Sequence, residues 1–124
     1  MGSIEQAEAW LRPHLGAVEA SVRAGFRFSY LPTLDGVLAV QGFRVLDGAM
    51  DMYLARSAFD ALAARIRVDD LEFHASPPPL WRARGAVADV VMELLGLPPH
   101  GSPGAPALAL SRPSELWIPG DSVN

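Results

Sequence analysis

Phe26-Arg27-Phe28-Ser29-Tyr30-Leu31-Pro32-Thr33-Leu34-Asp35-Gly36, continued through Val37 to Leu46, Asp47-Gly48 and Ala49 to Ala55, is the stretch that decides the fold. Phe26, Phe28 and Tyr30 alternate with Arg27 and Ser29, the period of two that sends successive side chains to opposite faces of a strand. The Pro32 to Gly36 segment carries turn chemistry. Asp47-Gly48 is a pair that tolerates positive backbone angles and so joins antiparallel strands directly. Three strands are predicted as a meander, over residues 26–31, 37–46 and 49–55.

Counting outward from Asp47-Gly48 places Leu46 opposite Ala49, Val45 opposite Met50 and Arg44 opposite Asp51. The last is an opposite-charge pair, which stabilises a sheet. In the second strand Val37, Ala39, Phe43 and Val45 share one parity while Leu38, Val40 and Leu46 share the other, so both of its faces are expected to be covered. In the third, Met50, Met52 and Leu54 alternate with Asp51, Tyr53 and Ala55, which points Asp51 away from the methionine face.

Working outward, Ser3 with Gln6 three residues on reads as a capping box, and Ile4, Ala7, Leu11, Leu15, Val18 and Val22 recur at helical spacing. Pro13 and Gly16 interrupt this stripe, so a kink or two successive helices is expected. Residues 17–24 also fit a strand, since alternation extends back to Val18. Alanine content, and Gly25 as a left-handed cap, favour helix up to Ala24.

On the other side, Ser57 reads as an N-cap with Asp60 in the first turn. Phe59, Leu62, Ala63 and Ile66 then share one helical face, predicting a short amphipathic helix. Residues 68–73 are expected as a strand, Pro77 to Pro79 as an extended link, 80–84 as a short strand and 86–95 as a helix closed by Gly96. Residues 98–106 are too rich in breakers for regular structure. Residues 107–110 and 116–118 are expected as short edge strands, with a polar tail from about 120. The expected fold is α+β: one domain over residues 1–124, with a mainly antiparallel sheet of four or five strands packed against two to four helices.

Composition narrows the function. The chain has 124 residues, 50% apolar and 19% charged, the balance of a globular domain with its own core. It has no cysteine, which removes disulfides, thiolate metal sites and cysteine nucleophiles. A net charge of −4 opposes binding to nucleic acid and to anionic membranes. The first ten residues lack the pattern of a secretory signal, and no apolar run suits a membrane span, so a cytoplasmic location is expected. All ten basic residues are arginine, which fits a GC-rich bacterial genome.

No motif for chemistry has its required spacing. His14, His74 and His100 are far apart, with no second ligand at helical distance, so no metal is expected. Asp69, Asp70 and Glu72 lack the spacing of a calcium loop. Gly101-Ser102-Pro103-Gly104 is not a nucleophile elbow, and no phosphate-binding glycine loop is present. Neither catalytic residues nor a cofactor are assigned.

Pro77-Pro78-Pro79-Leu80-Trp81-Arg82 instead joins a preformed extended segment to a large ring and a planar cation, residue types that dominate protein interfaces. Trp117, between Leu116 and Ile118, is a second candidate. The expected function is a non-enzymatic binding or accessory module acting through Trp81, Arg82 and Trp117 on a protein partner or on a second copy as a homodimer. The alternative is a small-molecule pocket between helix and sheet, with Arg44, Asp51, Tyr53 or His74 orienting the ligand and supporting hydrolytic or isomerising chemistry.

Overall fold

A computed structural model describes residues 9–32, 38–73 and 77–108. Its elements run α1 (Arg12–Arg23), β1 (Arg27–Pro32), β2 (Leu38–Leu46), β3 (Ala49–Ser57), β4 (Asp60–Arg67), α2 (Val68–Phe73), β5 (Trp81–Gly85) and α3 (Val87–Gly96). The five strands form one sheet in chain order, and every neighbouring pair is antiparallel. The expected α+β architecture is present, and its meander extends through all five described strands.

The Asp47-Gly48 turn has positive φ at both residues, 55° and 87°, the geometry whose twist matches the flanking strands. It sets the anticipated register, with Arg44 opposite Asp51. α1 ends in a Schellman arrangement, in which Gly25 N–H donates to the Val22 carbonyl and Phe26 N–H to that of Ser21. Gly25 takes the left-handed conformation this requires. Residues 17–23 are therefore helical.

Pro13 falls in the first turn of α1, where its missing N–H costs nothing, so it starts this helix and does not kink it. The expected cap at Ser3 lies outside the described residues. The buried face of α1 differs from the predicted stripe: His14, Ala17 and Ser21 turn inward, while Leu15 and Val22 are exposed. Small and polar side chains are needed there because α1 lies close to Tyr53 and to the start of α3. Ser21 Oγ bonds Tyr53 Oη at 2.8 Å, and His14 Nδ1 accepts from Ala88 N–H at 3.1 Å. Together with the Ala58 carbonyl, which accepts from Val87 N–H, His14 supplies the capping of α3 that Ala86 has no side chain to provide.

Two element types are corrected. Residues 60–67 are a strand and not a helix. The Ser57 hydroxyl accepts from Phe59 N–H at 3.3 Å and so tightens a β3–β4 hairpin instead of capping a helix. Ala61, Ala63 and Ala64 are good helix formers, yet here they are buried in a central strand, and at Ala61 and Ala63 larger side chains would hold α3 off the sheet. Residues 68–73 are a short helix and not a strand, with Asp69 and Asp70 in its first turn, where the helix dipole favours negative charge. Ala107 and Leu108 lie outside any strand. Residues 109–124, including the strand expected at 116–118 and the polar tail, lie outside the described residues.

The register divides the sheet into two faces. One carries Tyr53, Ala55, Ala61 and Ala63, which pack with Ala17 of α1 and with Val87, Val90, Val91 and Leu94 of α3. Those α3 residues follow the i, i+3, i+4, i+7 pattern of a single apolar stripe. The other face carries Phe43 and Val45 of β2, Met50, Met52 and Leu54 of β3, and Leu62, Ala64 and Ile66 of β4. β2 was expected to be covered on both faces, yet Phe43 and Val45 are 39% and 57% exposed. α1 and α3 pack on the Tyr53 side.

Candidate functional site

Of the residues proposed to orient a ligand, Arg44, Asp51 and Tyr53 lie on the helix-covered face, at consecutive same-face positions of β2 and β3. His74 lies outside the described residues. Arg65 joins them from β4, directly opposite Asp51. The sequence does not show this contribution, because the helical spacing read from Phe59 to Ile66 puts Arg65 on a helix and not on a strand beside Asp51.

Asp51 and Arg65 are each 3% exposed. Arg65 Nε donates to Asp51 Oδ1 at 2.6 Å and Arg65 Nη2 to Oδ2 at 3.1 Å, the two-pronged geometry suited to a planar guanidinium. Arg44 Nη2 adds a third donor to Oδ2 at 3.2 Å. The remaining arms reach main chain: Arg65 Nη1 to the Pro98 carbonyl at 2.6 Å, and Arg44 Nη1 to that of Ala24 at 2.8 Å. The Arg44 guanidinium also lies 4.8 Å from the centre of the Phe26 ring.

One carboxylate thus ties three strands to the end of α1 and to the loop after α3. Three N–H donors of this chain converge on its two buried oxygens, so the cluster is a clamp. Arg44 Nε is buried without an acceptor, and Arg44 also lines an open cleft with Gly25, Arg27, Phe43 and Val45 at the β1–β2 end of the sheet.

Tyr53 is completely buried. Burial pushes its phenol above the ordinary tyrosine value, with the Ser21 hydrogen bond pulling part of the way back. The unfolded chain ionises near its ordinary value of about 10 while the folded chain still holds the proton. This contribution to stability is therefore complete below about pH 10 and is lost as the pH rises beyond it. Urea unfolding at pH 8 and at pH 10.5 should show the wild type losing stability across the interval. Tyr53→Phe should lose about 1 kcal/mol at pH 8 through the Ser21 bond and show a shallower alkaline fall.

An apolar cleft of about 190 Å³ opens between α1 and the β2–β3 strands, lined among others by Leu11, Leu15, Val18, Val40, Ala55 and Val87. It is a pocket between helix and sheet, but Arg44, Asp51 and Tyr53 do not line it. Of its polar neighbours, His14 is engaged with Ala88 N–H and Ser57 with Phe59 N–H, while Arg56 also lines the cleft. Among the described residues no group of three or more His, Asp or Glu is placed to hold a metal ion. No described helix is long and apolar enough to cross a membrane.

The interface candidates separate. Trp81 is partly buried on the helix-covered face, packed against the Tyr53 core, and lies opposite Arg65. Arg82 points to the other face, opposite Ala64. Trp117 lies outside the described residues. The exposed large apolar side chains of the described strands are instead Phe28, Tyr30, Phe43, Val45 and Leu46, which strand alternation did not distinguish from core.

The face opposite the helices has an ordered composition. One row across all five strands reads Arg27, Phe43, Met52, Ala64, Arg82, and the next reads Ser29, Gln41, Leu54, Leu62, Arg84. Apolar residues fill the centre and arginines mark both margins. Arg84 has Asp60 beside it at 3.7 Å. Compared with protein-family models, with curated proteins and with solved structures, the chain matches none.

Proposed function

We propose that this chain is a non-enzymatic binding module that holds another protein on the face of its sheet opposite α1 and α3. The supporting observation is the apolar centre of that face, where Phe43 is 39% and Val45 57% exposed beside the partly exposed Met50, Met52, Leu54 and Leu62. Protein interfaces combine such an apolar centre, rich in aromatic and methionine side chains, with an arginine-bearing polar rim. Arg27, Arg82 and Arg84 supply that rim in a chain whose net charge is −4. The matching partner surface is apolar at its centre and acidic at its margin. A cytoplasmic setting in a bacterium agrees with a fold that needs no disulfide.

The buried clamp argues against the pocket reading, since the side chains with catalytic potential are consumed in holding the fold. The test is native mass spectrometry of the protein isolated gently from its source, alongside the double variant Phe43→Asp, Val45→Asp. Wild type should retain a stoichiometric protein chain. The variant, with an unchanged circular dichroism spectrum, should bind that chain at least about 100-fold more weakly, the loss of two interface anchors. A retained small molecule, or a partner held equally well by the variant, would overturn the reading.

A further inference from the structure

The two edges of the sheet are built differently. β5 (Trp81–Gly85) alternates Arg82 and Arg84 through its short length, and charged side chains on an edge discourage pairing with a further strand. β1 (Arg27–Pro32), the other edge among the described residues, has its charge only at Arg27 and its proline only at Pro32. Between them the strand is uncharged, and it exposes Phe28 at 42% and Tyr30 at 64%, with the two rings in edge-to-face contact at 6.1 Å.

Phe28 and Tyr30 stand on the helix-covered side, opposite Gly42 and Val40. Neither is buried by α1, whose Leu15 is also exposed and lines the same cleft as Val40.

We propose that β1 pairs antiparallel with β1 of a second copy about a twofold axis through Ser29, making one continuous ten-stranded sheet with the helices of both copies on the same side. The spacing of the aromatic residues selects this register. With Ser29 opposite itself, Phe28 of each copy meets Tyr30 of the other, and Arg27 meets Leu31. Two reciprocal aromatic pairs form, of the kind that stabilises neighbouring strands, and no like charges oppose one another. Shifting the axis to Phe28 leaves Tyr30 opposite Phe26, at the end of α1, and shifting it to Tyr30 puts Phe28 opposite Pro32, which has no N–H to donate.

The exposed parts of Phe28 and Tyr30 amount to about 200 Å² per copy, taking about 200 Å² for each whole aromatic side chain. The strand backbone, Arg27, Ser29 and Leu15 bring the dimer to on the order of 1,000 Å² of buried surface, the lower end for a specific interface. The dimer is accordingly weak and concentration-dependent. It uses different side chains from the proposed partner face, apart from Arg27 and Ser29 at its margin, so both can be occupied together.

The chain has no cysteine, so an introduced thiol reports without background. Directly opposed residues of antiparallel strands are about 4.5–5.5 Å apart at Cα, within reach of a disulfide. In Ser29→Cys the two thiols meet. In Arg27→Cys they are four residues out of register, about 14 Å apart, and cannot.

Mild oxidation of the full chain should therefore give a covalent dimer from Ser29→Cys and little from Arg27→Cys. Sedimentation equilibrium of the wild type should show reversible dimerisation, weakened at least about tenfold by Tyr30→Asp with the fold intact by circular dichroism. Equal cross-linking of the two cysteine variants would overturn the register. A monomer at every concentration would overturn the dimer, whether β1 is then covered by residues 109–124, as an unreactive Ser29→Cys thiol would reveal, or by a strand of another protein. Loss of the dimer leaves the Phe43 and Val45 test unaffected, so the two readings fail separately.

Discussion

Replacing Asp51 by asparagine is expected to destabilise the fold by about 3–5 kcal/mol, the cost of leaving a buried charge without its counter-ion. Arg65 is 3% exposed and gives two of its N–H arms to Asp51. Asparagine keeps the shape but removes the negative charge and turns half of the acceptor surface into a donor that faces two guanidinium groups. Urea unfolding should show the midpoint falling with little change in slope.

The same argument predicts that Asp51→Leu combined with Arg65→Met is milder than Asp51→Asn alone. Removing both buried charges avoids the desolvation penalty, whereas removing one leaves it unanswered. A loss under about 1 kcal/mol for Asp51→Asn would mean that water reaches Arg65, and the clamp would then be a surface ion pair of ordinary worth.

Gly42→Ala should cost about 3 kcal/mol, at the upper end for overpacking. A methyl group there would sit 2.3 Å from Cε2 and Cζ of Tyr53 and 2.6 Å from its hydroxyl. Gly42 is directly opposite Tyr53 and is not among the positive-φ glycines, so the effect is steric and owes nothing to backbone conformation. The ring cannot retreat easily, because it is fully buried and its hydroxyl is tied to Ser21. Tyr53→Leu should relieve the clash at its own cost in packing. A double-mutant cycle on the two positions should therefore be non-additive by more than about 1 kcal/mol. Additivity would show that the ring swings aside and that the close approach is incidental.

Gly42 also shows a limit of reading strands by alternation. In Val40-Gln41-Gly42-Phe43 the glycine resembles a weak point of the strand, and nothing nearby announces that a tyrosine from the next strand will lie across it. The need is cross-strand and depends on register. Here the register is itself legible, because Asp47-Gly48 sets it locally, and Arg44 opposite Asp51 followed from counting alone. What counting does not supply is the third partner: Arg65 reaches Asp51 only because β4 is a strand, and its alanines hid that.

The face assignments had a related difficulty. Phe43 and Val45 share with Met50 and Met52 the chemistry of a core, and apolar character alone does not say which side of a sheet receives the helices. That choice follows from small side chains, with Ala17, Ala55, Ala61 and Ala63 letting α1 and α3 approach on one side only.

The sequence by itself determined the parts of this protein written in short-range chemistry. Asp47-Gly48 made the β2–β3 hairpin and its register, Gly25 ended α1, and the valine and leucine spacing of residues 87–94 made α3 amphipathic, each through backbone angles and periodicity within a few residues. Only the tertiary structure decided that residues 60–67 are a strand, that Asp51 lies buried between two arginines, and that α1 and α3 pack on one face of the sheet while Phe43 and Val45 stand exposed on the other. Those outcomes depend on which distant surfaces compete to be buried, and no local window of the chain holds that comparison.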